Sequence, residues 1–146
     1  MTIRKATKRE TREVISHSMD VLKESSMGHI PEKQEKAQQM IAPFLASGGY
    51  YLVHTESNNL QGWIGVGTTI DHYTDKPVGV IPELYVLPQY RKQGIAETLC
   101  HEASAILWEK GVAAVQLNVF AGNSVKQLYQ RLGFQEVATL MEKRFD

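Results

Sequence analysis

Apolar positions along the chain switch repeatedly between the period of a helix and the period of a strand. Val14, Ile15, Met19 and Leu22 recur at helical spacing and predict a first helix over residues 7–25. The run Ser25-Ser26-Met27-Gly28-His29-Ile30-Pro31 breaks that period. Ala37, Met40, Ile41, Phe44 and Leu45 then form a second stripe, in which Pro43 is expected to kink or shorten the helix. Gly48-Gly49 ends it. Tyr50 to Thr55 and Leu60 to Ile70 read as two strands joined at Ser57-Asn58-Asn59, a hairpin whose Gly62, Gly65 and Gly67 admit a bulge or a close neighbour.

Val78 to Leu87, apolar and bounded by Pro88, reads as one buried strand. A helix opening at Gly94 and closing at Lys110-Gly111 turns Ile95, Leu99, Ala103, Ile106 and Leu107 inward. Val115, Leu117 and Val119 alternate as a strand. Val125, Leu128, Tyr129 and Leu132 line a last helix that Gly133 stops, and Phe134 to Phe145 is expected to close the chain with one or two strands. The order is that of an α/β protein. With no repeat or linker in it, it reads as one domain over residues 1–146.

Charge narrows the partners. Sixteen Lys plus Arg balance sixteen Asp plus Glu, so no global field favours nucleic acid or an anionic membrane. The lone Cys100 cannot close an internal disulfide and reads as a core residue; together with a highly charged start, this predicts a reducing, cytoplasmic setting. No window approaches the length of a membrane span. The five histidines lack the spacing of a metal site, so none is expected.

The chemistry concentrates in IPELYVLPQYRKQGIAETL, which sets a short basic loop and a glycine between a buried strand and the first turn of a helix. The leading amides of a helix have no partner inside it and lie at the positive end of its dipole, so they suit phosphate oxygens. Gly94 removes the side chain that would block such an approach, and Arg91 and Lys92 bring positive charge. Neither G-x-x-x-x-G-K-[ST] nor G-x-G-x-x-G is present, which disfavours a P-loop hydrolase and a dinucleotide fold.

The pattern R-x-x-G-x-A at 91–96, after L-Y-V-x-P, resembles the coenzyme A signature of the GNAT N-acetyltransferase superfamily, and LYQRLGF at 128–134 resembles that family's tyrosine-bearing helix and the strand after it. The order of elements matches over most of the chain. The resemblance implies a mixed, mostly antiparallel sheet flanked by helices, with acetyl-CoA as cosubstrate and no metal. It implies that the pantetheine arm runs along Leu84, Tyr85 and Val86, and that the pyrophosphate meets Arg91, Lys92, Gln93, Gly94, Ile95 and Ala96. Tyr129 matches the proton donor to the departing thiolate. The acceptor would be a small-molecule amine, a protein N-terminus or a lysine, held near Ser25 to His29 and Asp71 to Asp75, and a homodimer is open to the chain with no interface marked in the sequence.

Two departures qualify the match. Relatives carry an asparagine seven residues before the tyrosine, whereas Asn123 precedes Tyr129 by six, which leaves CoA contact and helix capping both open. Glu83 lies on the signature strand as the candidate base, but strand alternation turns a carboxylate displaced by one residue to the opposite face. A second class of function is a CoA-binding sensor that has lost turnover.

Overall fold

The computed structural model describes residues 2–145; Met1 and Asp146, the ends of the expected domain, lie outside it. Thr2–Lys5 (β1) leads into α1 (Lys8–Ser16), which starts on a capping box: Thr7 Oγ1 accepts from the Glu10 N–H, and Glu10 Oε1 accepts from the Thr7 N–H. Arg4 clamps the same carboxylate at 2.6 and 2.8 Å. The helix expected over 7–25 is two helices, because α1 ends at Ser16 and α2 covers Ser18–Ser25. Ser16 and Ser18 hydroxyls donate to the Glu13 and Ile15 carbonyls, a local competition with the helical ladder that marks the break at His17.

Helix α3 (Gln34–Ala46) runs on past Pro43, giving up only the bond that residue's missing N–H would make to Gln39. Its stripe is narrower than expected. Ala37 and Ile41 are buried, but Met40 is 49% exposed. Strands β2 (Tyr50–Glu56) and β3 (Asn59–Ile70) form the expected hairpin, with positive φ at Ser57 and Asn58 as a type I′ turn requires.

The stretch expected as one strand over 78–87 is two: β4 (Pro77–Val80) pairs with the far half of β3, and β5 (Leu84–Val86) with its near half. Gly67 faces Val80 and the Gly65 N–H reaches Glu83 O, so Ile81 and Pro82 together oppose the single residue Val66. That is a β-bulge, and Pro82, with no N–H to give the ladder, sits in it. Close approach explains Gly65 on the opposite strand, where a Cβ would lie 3.0 Å from the Pro82 ring.

After a 3-10 turn at Pro88–Tyr90 comes α4 (Ile95–Glu109), then β6 (Val115–Gln116) and α5 (Val125–Arg131). The sheet order is β1-β2-β3-β4-β6, with β5 on β3; the neighbours are antiparallel except β4 and β6. Helices α1 to α3 cover one face over Val14, Val21, Ile41, Tyr51, Val53 and Trp63. Helices α4 and α5 cover the other over Leu52, Ile64, Val86, Leu99, Leu107 and Tyr129.

Two regions expected as strands fall short of that in the structure. Beyond Gln116 the segment Leu117 to Val119 joins no ladder, because the bulge has turned β5 away from it. Phe134 to Phe145 holds no strand either: Phe134, Val137 and Leu140 recur every third residue rather than every second, and two-residue β6 offers too short an edge to pair with. Val137, Leu140, Met141 and Phe145 of that segment are exposed.

Candidate active site

The bulge opens a wedge in the sheet. β4 and β6 pair at Gly79–Val115 and Val80–Gln116, the Ile81 N–H adds a bond to Gln116 O at 3.0 Å, and then the strands part. Among the described residues β5 pairs only with β3. The bonds Gly65 N–H to Glu83 O and Leu87 N–H to Gln61 O fix the phase of that ladder: Glu83, Tyr85 and Leu87 turn their peptide groups toward β3. Leu84 and Val86 therefore turn theirs into the wedge. Of the three residues expected along a pantetheine arm, Tyr85 has its backbone committed elsewhere, and the Leu84 and Val86 amides face the opening.

At the end of β5 the chain turns through Arg91 to Gly94. Arg91 spends its N–H on Pro88 O at 3.4 Å. Lys92 (φ 63°) and Gly94 (φ 79°) are left-handed on either side of Gln93, which gathers successive N–H groups into a concave, anion-attracting nest ahead of the free amides of Ile95 and Ala96. A Cβ built on Gly94 meets nothing within 4 Å, so the space above the nest is open. The Arg91 side chain differs from expectation. Its Nε donates to Val86 O at 2.8 Å, its Nη2 pairs with Glu24 Oε2 at 2.8 Å, and its guanidinium lies 5.1 Å from the Tyr85 ring centre. The charge is spent pinning α2 to β5, while Lys92 remains exposed.

Glu83 falls on the face covered by α1 to α3, as strand alternation requires once Tyr85 packs there. The Trp63 indole N–H donates to its carboxylate at 2.5 Å. Burial pushes Glu83 up to about 7, with the Trp63 hydrogen bond pulling the other way. A carboxyl poised there exchanges a proton readily near neutral pH. Along α2 and the end of β5 an open cleft of about 490 Å³ is lined by His17, Asp20, Glu24, Tyr85 and Leu87 among others, with Glu83 outside that lining.

Tyr129 belongs to the opposite face. It is 8% exposed, packs edge-on to Phe134 with ring centres 5.6 Å apart, and has its phenol raised by burial and by nearby Cys100. Phenols so placed stay protonated. Cys100 itself is pushed up to about 12 by burial, which keeps it a thiol and fits its reading as core. Asn123 Oδ1 accepts from the Val125 N–H at 3.0 Å and Nδ2 reaches Ser25 O at 3.5 Å, so it starts α5 and ties it to the end of α2. The same two loops meet again where His29 stacks on Phe120, with ring centres 5.2 Å apart.

The sequence carried no signal for Trp63, Glu24, His17 or the His29–Phe120 stack. Each meets its partner only through strand register or loop docking. Asp71 to Asp75, expected near the acceptor, forms a turn in which Asp71 accepts from the Tyr73 N–H and from Gln116.

Comparison with known proteins gives this geometry a lineage. The chain is 32% identical over 82 residues to a ribosomal protein bS18 alanine N-acetyltransferase of Haemophilus influenzae, across 56% of this chain and 52% of that protein. The chain thus spans about half the length of the curated relative it matches. A Pyrococcus furiosus protein described as an acetyl transferase superposes with a TM-score of 0.86 at 21% identity, over 99% of both chains. AAC(6')-Iy, solved with the bisubstrate analog CoA-S-monomethyl-acetylneamine, superposes with a TM-score of 0.68 at 19% identity, over 99% of this chain and 97% of that one. At such identities the two structures speak to fold alone. The family model of the acetyltransferase (GNAT) domain matches residues 47–136, well over half of the sequence, and the chain belongs to that family.

Proposed function

We propose that the protein transfers an acetyl group from acetyl-CoA to an amine by direct attack within one ternary complex. The observation that carries this reading is the continuity of donors: the outward amides of Leu84 and Val86 run along the wedge into the nest of Lys92 to Ala96. An extended chain with a pyrophosphate at one end fits such a track, strand-like along β5 and anionic at the helix start. Bound there, acetyl-CoA supplies an activated thioester.

The residues divide the remaining work. The wedge is where the sheet no longer separates its two faces, so Glu83 from one side and Tyr129 from the other serve one reacting centre. Glu83 takes the proton of the ammonium, directly or through water, and frees the amine lone pair. The amine forms the C–N bond and the C–S bond breaks as Tyr129 gives its proton to the sulfur. The second proton, shed by the nitrogen as it becomes an amide, passes through water to restore the Tyr129 phenol, and Glu83 releases the first to solvent. Holding both reactants in place lowers the barrier further. The cleft along α2 and the loop carrying His29 receive the acceptor.

Two measurements test this. Acetyl-CoA at a hundredfold excess over its dissociation constant should stabilise the fold by roughly 2.7 kcal/mol in a melting scan. A panel holding an alanine-leading peptide, neamine, a polyamine and a lysine peptide should then release free thiol with at least one member. Stabilisation without thiol release from any amine would leave a CoA-binding sensor, and no stabilisation would remove the reading.

A further inference from the structure

We infer that Trp63 is a positioning residue that holds Glu83 in its proton-accepting orientation through the indole N–H, an inference that rests on the reading of Glu83 as the base. The donor is close, at 2.5 Å from Glu83 Oε2, and comes from a side chain with 0% of its surface exposed. Register brings the two together. Trp63 stands opposite Tyr85 and Gly65 opposite Glu83, so Trp63 and Glu83 are diagonal neighbours on one face, a separation that an indole and a carboxylate stem can bridge. The ring is held in turn by His17 at 5.4 Å and Tyr85 at 5.2 Å between centroids.

The chemistry of the contact suits a base. An indole nitrogen only donates, so it fixes one carboxylate oxygen and leaves the other free to accept the proton. Burial raises Glu83 while the indole opposes it. Removing the donor therefore raises the carboxyl further, and less of it is ionised at any pH below its titration. The other polar groups facing this pair are the Tyr51 phenol from β2, His17 with Asp20 at the α1–α2 junction, and Tyr85 with Arg91 and Glu24 on the β5 side. Of these His17 abuts the indole, and a pH experiment has to separate it.

The test uses the full chain carrying Trp108→Phe, an exposed position whose replacement leaves Trp63 as the sole indole. Its emission should titrate with a midpoint near 7, persist with that midpoint in His17→Gln, and become flat in Glu83→Gln. In Trp63→Phe the kcat/KM of acetyl transfer should fall on the order of tenfold at acidic pH, about one unit of displacement of that limb, and recover toward the wild-type plateau at alkaline pH. An emission titration that survives Glu83→Gln, or one that is absent from the parent protein, overturns the inference. So does a Trp63→Phe loss equal at every pH. Full transfer activity in Glu83→Gln would instead remove the base reading underneath it, while the emission titration would still show the contact.

Discussion

Arg91 Nη2 and Glu24 Oε2 meet at 2.8 Å across 67 residues of sequence, while Arg91 Nε donates to Val86 O. The most basic-looking residue of the signature loop is thus a strut between α2 and β5. Arg91→Ala should weaken acetyl-CoA binding by less than about tenfold, or 1.4 kcal/mol, because the proposed phosphate contacts come from fixed amides and not from this guanidinium. Calorimetric titration checks this; a loss of a hundredfold or more would place the guanidinium on the phosphates.

Gly94 behaves differently. Its φ of 79° and the open space at its Cβ position let a ligand come down on the backbone. Gly94→Glu introduces a carboxylate at that place together with left-handed strain of about 1–2 kcal/mol, and it should abolish acetyl-CoA binding in a protein that remains folded. Unchanged affinity, with native circular dichroism, would mean that the pyrophosphate lies elsewhere.

Tyr129→Phe keeps the ring against Phe134 and removes the buried hydroxyl. Single-turnover acetyl transfer should slow on the order of 10²-fold with acetyl-CoA affinity nearly unchanged. Multiple-turnover assays can hide the loss behind product release, so the burst phase is the quantity to measure. Transfer at wild-type speed would leave Tyr129 a packing residue.

Glu83 makes stability depend on pH in a known direction. Its folded value, about 7, lies above the ordinary 4.5, so between these the folded state holds more protons than the unfolded one. Stability contributed by this site is full below about 4.5, declines as pH rises toward 7, and is flat beyond. Glu83→Gln should remove that slope and stabilise the protein at pH 8 by on the order of 1–3 kcal/mol. Urea denaturation of both proteins at pH 5 and pH 8 decides it: a variant no more stable than the parent at pH 8 contradicts the buried-carboxyl account.

Much of the fold follows from local chemistry. The Ser57-Asn58 turn, Gly111 after α4 and Gly133 after α5 all occupy the positive φ that their neighbours require, and such signals act within a few residues. The nest at 91–96 belongs to the same class, since a strand, a glycine and a helix start follow one another directly. Sequence therefore determined where the concave run of backbone amides sits and which helix carries Tyr129. It could not determine which carbonyls β5 turns outward, because that depends on the phase of pairing with β3 and on a one-residue bulge at Ile81-Pro82.

Only the tertiary structure decided the wedge, for a strand pair opens when one member bends away, and neither sequence records its neighbour. The same reason hid Trp63 from Glu83 and Glu24 from Arg91. Twenty residues separate the first pair and 67 the second, and what joins them is register and helix packing. It also accounts for Leu117 to Val119, where alternation is present and a bonding partner is not, whereas Phe134 to Phe145 lacks both. Periodicity reports which side of a segment is apolar; a strand exists only where another edge completes its hydrogen bonds.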